Sequence, residues 1–184
     1  MKTLTSILVV CADPNDVQQI NEIFQVEKNK AWEVNIIDHI PAGLKLLKKQ
    51  SFDVILLDLQ LANNQNMDIL EEIASAAPEI PIIVFTERRE KETERKALRA
   101  GAQDYLVKGE ITRDLLVRAI RYAIDRKQAQ EALRRSDARF QIIAENIGDV
   151  IYQMNLTQKF TYISPSIYQM FGYTQEEWVG THLS

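Results

Sequence analysis

Short runs of aliphatic residues alternate along this chain with longer stretches whose apolar residues recur every three or four positions. Unbroken aliphatic runs are typical of strands buried on both faces, whereas the three- and four-residue spacing is typical of helices packed on one side. Five strands are predicted within the first 110 residues, two as unbroken aliphatic runs at Ile7–Val10 and Val54–Leu57, and three as mainly apolar runs at Val34–Ile37, Pro81–Phe85 and Asp104–Val107. This alternation predicts an α/β fold in which helices cover both faces of a parallel sheet.

The helical stretches between these runs carry start and stop signals. Helices are predicted to open near Pro14, Pro41 and Met67, because proline suits a first helical turn and Met67 begins an apolar period. A highly charged helix is predicted from Arg88 to Arg99, with Gly101 as its C-cap.

Polar residues follow four of the predicted strands at the point where each strand ends. They are Asp13, Asp58, Thr86 and Lys108. In open α/β sheets the carboxyl ends of the strands share one edge, so these side chains are expected to converge there. Two carboxylates, a hydroxyl and an ammonium suit a divalent cation and a phosphoryl group carried on a carboxylate.

A much longer helix is predicted after the fifth strand, beginning at Thr112 as its N-cap and running to Asn146. A stripe of mostly apolar residues recurs in steps of four and three, as in the heptads of a coiled coil: Leu115, Ala119, Tyr122, Arg126, Ala129, Leu133, Ser136, Phe140, Ile143 and Ile147. We expect a homodimer through residues 115–147. Arg126 and Ser136 should make it weak or sensitive to register, and a solitary surface helix is the alternative.

Composition and charge narrow the class of protein. The 184 residues are 46% hydrophobic and 26% charged with a net charge of −4, as in ordinary globular proteins. Residues 112–140 carry 8 basic and 4 acidic side chains, but the two signs are interleaved, which argues against nucleic-acid binding. The single cysteine, Cys11, suits a reducing cytoplasm, and no apolar run is long enough for a membrane span. We therefore expect a cytoplasmic location.

Residues 1–122 resemble the receiver domain of two-component response regulators. The matching residues are Asp58 after an aliphatic strand, Thr86 after PIIVF and Lys108 after GAQDYLV. The resemblance implies a flavodoxin-like five-stranded sheet of order 2-1-3-4-5. It also implies that Asp58 accepts a phosphoryl group from a histidine kinase or phosphotransfer protein. Thr86 would then bond the phosphoryl oxygen, Lys108 would pair with it, and Tyr105 would change rotamer as the switch aromatic.

The sequence departs from this family where the metal is expected. Receivers usually carry two adjacent acidic residues after the first strand, and those positions are Cys11 and Ala12 here. The resemblance leaves Asp13, Asp58 and the backbone carbonyl of Gln60 as ligands of Mg²⁺. Because Mg²⁺ demands near-octahedral oxygen coordination, the site is expected to be weak or impaired.

The last segment, residues 136–184, resembles the opening of a PAS domain. Asp149–Met154 and Lys159–Ile163 alternate like a hairpin, a helix follows Ser164 and Pro165, and a TQEEW stretch precedes Gly180. About half of a PAS unit is expected, with no ligand. The predicted organisation is a receiver at 1–122, a helical linker at 112–147 and a truncated PAS-like domain at 148–184.

Three functions remain open. The first is a phosphorelay receiver that passes its signal through a dimeric helix to the PAS-like domain. The second is a pseudo-receiver, an interaction module that works without phosphorylation, which Cys11 and Ala12 favour. The third is the N-terminal regulatory segment of a longer sensor histidine kinase or cyclic-nucleotide enzyme. No enzyme is predicted within the segment itself, since no glycine-rich phosphate loop occurs and neither His39 nor His182 has a catalytic context.

Overall fold

The computed structural model describes residues 4–25, 32–61, 67–146 and 148–182. Contacts between Cα atoms divide the chain into two units, Met1–Ala129 and Gln130–Ser184. Fourteen strands and helices are assigned in the described residues: β1 Thr5–Val10, α1 Pro14–Gln25, β2 Trp32–Ile37, α2 Ile40–Leu47, β3 Val54–Asp58, α3 Met67–Ala76, β4 Ile82–Thr86, α4 Lys91–Arg99, β5 Asp104–Val107, α5 Arg113–Asn146, β6 Tyr152–Met154, β7 Phe160–Ile163, α6 Ser166–Phe171 and α7 Gln175–Trp178.

The first unit is built on a five-stranded parallel sheet of order β2-β1-β3-β4-β5, which confirms the predicted flavodoxin-like topology. Every residue of the central strand β3 is buried. Alternate residues of this strand enter two separate apolar clusters, with Ile55 and Leu57 in one and Val54 and Leu56 in the other. Because successive side chains of a strand point to opposite faces, the two clusters are the two helix-covered faces of the sheet.

The register of the sheet brings the ends of its strands to one edge. Asp58, the last residue of β3, pairs with Phe85, and Thr86 pairs with Val107, directly before Lys108. The predicted site residues on three different strands therefore lie at the same rim.

The charged helix α4 is shorter than predicted, since it begins at Lys91 and not at Arg88. Glu90 is extended, with φ −117° and ψ 113°, and the hydroxyl of Tyr105 donates a hydrogen bond of 3.1 Å to the carbonyl of Arg88. These features hold residues 88–90 outside the helix. The predicted C-terminal signal is confirmed, because Gly101 follows the last turn with φ +107°.

Helix α5 spans 34 residues, and Thr112 caps it as predicted, its Oγ1 accepting a 3.3 Å hydrogen bond from the backbone N–H of Leu115. The start of the predicted dimer stripe is wrong, however. Ala119 is only 6% exposed within the core of the first unit, and Leu115 packs against the same core. Both side chains pack within the first unit and are not available to a second chain. The exposed part of the predicted stripe therefore begins at Tyr122. Ile147 lies outside the described residues.

The second unit contains an antiparallel hairpin, β6 with β7, followed by α6 and α7, as the alternation predicted. Gly172 ends α6 with φ +79°, and a capping box at Thr174 and Glu177 opens α7. The ring of Phe160 lies 5.5 Å from that of Tyr152 and 5.2 Å from that of Trp178. In the described part of the chain, no helix is both long and apolar enough to cross a membrane.

Candidate functional site

Asp58 lies at the carboxyl end of β3 and is only 3% exposed. One carboxylate oxygen, Oδ1, accepts a hydrogen bond of 3.0 Å from the backbone N–H of Gln60. The other, Oδ2, accepts one of 2.9 Å from the ammonium of Lys108. Buried polar atoms need hydrogen-bond partners, and both carboxylate oxygens of Asp58 have one.

Lys108 follows β5 at the start of a short 3-10 turn and is 8% exposed. Its Nζ lies 2.5 Å from Oδ2 of Asp16, 2.9 Å from Oδ2 of Asp58 and 3.4 Å from Oε1 of Gln60. The ammonium also lies 5.5 Å from the centre of the Phe85 ring. Burial by itself would lower the pKa of Lys108, but the hydrogen bonds and charges of the two aspartates outweigh it and raise the pKa. Lys108 is therefore a fixed cation at neutral pH.

Asp16, in the first turn of α1, is the carboxylate that reaches this cluster from the first strand–helix connection. Asp13, the predicted metal ligand, is instead exposed, and its Oδ1 accepts a hydrogen bond of 2.8 Å from the backbone N–H of Asn15. Asp13 thus caps the start of the helix. Sequence reasoning missed Asp16, although an acidic residue two positions after the helix-opening Pro14 was a visible signal.

Cys11 directly follows the last residue of β1 and is 1% exposed. Its Sγ lies 3.6 Å from Oδ2 of Asp58 and 4.0 Å from Oδ2 of Asp16. Burial raises the pKa of the Cys11 thiol to about 12. The residue is therefore a neutral S–H donor at pH 7, directed at the carboxylate of Asp58 as its nearest acceptor.

Thr86 and Tyr105 line a shared cavity of about 260 Å³ beside the aspartate cluster, the group formed by Asp16, Asp58 and Lys108. Tyr105 is 5% exposed and Thr86 half-buried. The walls of the cavity are formed by Leu59, Gln60, Thr86, Glu87, Arg88, Glu90, Thr93 and Tyr105. Gln60 connects Asp58 with this cavity, because its backbone N–H donates a hydrogen bond to Asp58 and the residue also lines the cavity wall.

A family model for the response regulator receiver domain matches residues 7–121, more than half of the chain. The chain belongs to the response regulator receiver domain family. Receiver domains are signalling modules that interact with histidine kinases or phosphotransfer proteins and bind Mg²⁺ at acidic residues.

Curated relatives match the receiver part of the chain. The transcriptional regulatory protein ZraR of Escherichia coli is 37% identical over 102 residues, which are 55% of this chain and 22% of that protein. The regulatory protein LuxO of Vibrio vulnificus is 36% identical over 76 residues, or 41% of this chain and 17% of the relative. The chain therefore matches only about a fifth of the length of these relatives.

Solved structures agree on the fold. A receiver domain from Clostridium thermocellum is 29% identical with a TM-score of 0.59, over 69% of this chain and 99% of that one. A CheY-like receiver domain from Methanospirillum hungatei has a TM-score of 0.60 at 24% identity, over 70% of this chain and 99% of that one. This second likeness shows the fold alone.

The residues of this receiver fit Mg²⁺ only in part. Cys11, Asp16 and Asp58 each place one ligand atom within 4.8 Å of the others, the one such group among the described residues. Mg²⁺ is commonly held by one or two carboxylates together with water, so Asp16 and Asp58 suit it. The protonated thiol of Cys11 does not, and Ala12 offers no ligand. The ammonium of Lys108 already contacts both carboxylates.

Proposed function

We propose that this receiver accepts a phosphoryl group on Asp58 from a histidine kinase or phosphotransfer protein in a reducing cytoplasm. The observation that carries the proposal is the carboxylate of Asp58, buried at the end of the central strand with the ammonium of Lys108 2.9 Å away. A carboxylate can act as a nucleophile towards phosphorus, and a nearby cation stabilises the charge that develops during transfer.

In the proposed step, an oxygen of Asp58 attacks the phosphorus of a phosphohistidine. The new O–P bond gives an acyl phosphate, while the P–N bond breaks and its electron pair leaves with the imidazole. Oδ2 already faces Lys108, so the same ammonium remains beside the added phosphoryl group. Mg²⁺, held by Asp16 and Asp58, would supply additional positive charge.

Thr86 and Tyr105 are proposed as the switch that reads this modification. Thr86 extends β4 by one residue beyond Phe85, the partner of Asp58, and shares its cavity with Tyr105. A hydroxyl drawn towards a phosphoryl oxygen would change the space available to the Tyr105 ring. The hydrogen bond from Tyr105 to the carbonyl of Arg88 would then break or re-form, shifting the segment before α4.

The proposed destination of the signal is the second unit, through α5. We assign to residues 148–184 the role of a PAS-like domain, which the hairpin and the two following helices support. The single continuous helix α5 is the covalent connection, and its exposed stripe is proposed to hold two chains together.

The acceptor is tested by incubating the full chain with Mg²⁺ and a small phosphodonor such as acetyl phosphate, then measuring intact mass. One added phosphoryl group is expected on the native chain and none on Asp58→Asn. Asp68→Asn is the matched control, because Asp68 is an exposed carboxylate on α3. Equal labelling of Asp58→Asn and the native chain would overturn the assignment.

A pseudo-receiver is the second candidate. Two observations favour it: Lys108 binds both carboxylates, and a neutral thiol occupies the place of a third acidic group. Such a domain would keep the fold and its interactions without phosphorylation. A native chain that stays folded but takes up no phosphoryl group, even from a panel of phosphorylated phosphotransfer domains, would favour this function over the first.

A further inference from the structure

The middle of α5 carries a stripe of apolar side chains that the described residues leave largely exposed, although the ring of Phe140 lies 5.7 Å from that of Tyr162. Tyr122 is 66% exposed, Leu133 64%, Phe140 48% and Ile143 45%, and Ala129 is also exposed. All five recur in steps of three, four or seven, which keeps them on one side of a helix. A long helix with such a stripe gains stability by packing it against another helix.

We infer that a second copy of this chain covers the stripe as a parallel, two-stranded coiled coil that starts at Tyr122, in which Arg126 of each chain pairs with Asp125 of the other. The inference rests on the proposed dimerisation and gives it a register, an orientation and a contact that decides both.

The heptad positions follow from the stripe. Tyr122, Ala129 and Ser136 take position d, and Arg126 and Leu133 take position a. In a parallel coiled coil each a side chain enters a hole formed by four residues of the facing helix, including the g residue that precedes the facing a residue. Asp125 is that g residue. Arg126 therefore reaches the partner's Asp125, and the two-fold axis makes the same contact twice.

The two copies of Asp125 and Arg126 form one layer of the coiled coil, and their opposite charges complement each other across the two-fold axis. Asp125 and Arg126 are both exposed, and neither has an ion-pair partner among the residues that the structure describes. A second copy supplies the missing partner for each of them at once. By contrast, sliding one helix by a heptad would place Arg126 against Leu133. A single charged a position is known to fix register in this way at some cost in stability.

Cross-linking tests the orientation. In the parallel arrangement the two copies of residue 136 face each other, so full-length Ser136→Cys should form a disulfide-linked dimer on mild oxidation. Ala138→Cys, at the outward position f, is the matched control and should remain monomeric in a denaturing gel. The native chain controls for Cys11, which is 1% exposed. An antiparallel pair with Arg126 level with Ser136 would separate the two cysteines by about 15 Å and prevent the bond. No cross-link in a chain that sediments as a dimer would overturn the inference.

A charge swap tests the Arg126–Asp125 contact. Asp125→Arg and Arg126→Asp each place four like charges in one layer, and each should raise the dissociation constant about tenfold or more. The double variant restores opposite charges and should return to within about threefold of the native value. Arg135→Asp, an exposed residue outside the stripe, should have little effect.

The inference is overturned if the double variant, Asp125→Arg with Arg126→Asp, dimerises no more tightly than either single variant. Phosphoryl uptake is measured on the same proteins and should not change, because Asp125 and Arg126 lie outside the aspartate cluster. Loss of dimerisation with normal uptake therefore separates failure of this contact from failure of the proposed acceptor.

Discussion

Replacing Lys108 with methionine should be among the most destabilising single changes at the rim of the sheet. At an effective dielectric constant near 20, charges 2.9 Å apart attract by about 6 kcal/mol, and those of Lys108 and Asp58 are at that distance. Desolvation of the buried ammonium offsets several kcal/mol of this attraction. Methionine keeps much of the volume but leaves the carboxylates of Asp16 and Asp58 close together without a cation. A net loss of about 3–5 kcal/mol in the free energy of unfolding is expected.

Urea denaturation followed by circular dichroism measures this loss. Lys96→Met is the matched control, since the Lys96 side chain is 61% exposed with its ammonium 3.8 Å from Glu92, and its removal should cost less than about 0.5 kcal/mol. Millimolar Mg²⁺ should restore stability to Lys108→Met more than it stabilises the native chain, because the ion can take the position between the two carboxylates. A Lys108→Met chain as stable as Lys96→Met would refute the reasoning.

Two further predictions concern the thiol and the metal. Burial raises the pKa of Cys11 from 9.0 to about 12, so only the unfolded chain ionises between these values and stability should fall as pH rises through that window. Cys11→Ser should have a shallower alkaline decline in melting temperature than the native chain, and identical declines would contradict this explanation. Mg²⁺ binding, measured by calorimetry, should be weak in the native chain, weaker in Asp16→Asn and tighter when Cys11→Glu is combined with Ala12→Asp. If the native chain binds Mg²⁺ tightly and Asp16→Asn binds it equally tightly, Asp16 is not a ligand of the ion.

The architecture of the first unit was predictable because each element is specified locally. The aliphatic runs ending at Val10, Leu57 and Phe85 are buried strands, as their lack of alternation indicated. Thr112 begins α5 with its hydroxyl as the cap, and Gly101 ends α4 with a positive φ, as their residue types predicted. The start of α4 was predicted three residues too early, because the tertiary contact from Tyr105 to Arg88 cannot be read from helical propensity.

The dimer stripe shows a different limit of periodicity. Leu115 and Ala119 continue the heptad pattern of Tyr122 without interruption, yet they pack inside their own unit. A period of seven identifies a face of a helix, but it does not say which neighbour covers that face. Beyond Ala119 the core is contacted by Ile120 and Ala123 and not by Tyr122, and which of these faces is covered is a property of the tertiary structure.

The aspartate cluster contains Asp16, whereas the sequence predicted Asp13 at this rim of the sheet. Asp13 comes three residues after Val10, the last residue of β1, and was expected at the same edge of the sheet as Asp58. Because α1 begins at Pro14, the free N–H groups of its first turn need an acceptor, and Asp13 supplies one to Asn15. Three residues further on, nearly one helical turn, Asp16 comes back to the inner side of the helix and reaches Lys108. Asp13, which caps the helix, therefore lies outside the cluster, and Asp16, the next acidic residue, lies beside Lys108 and Asp58.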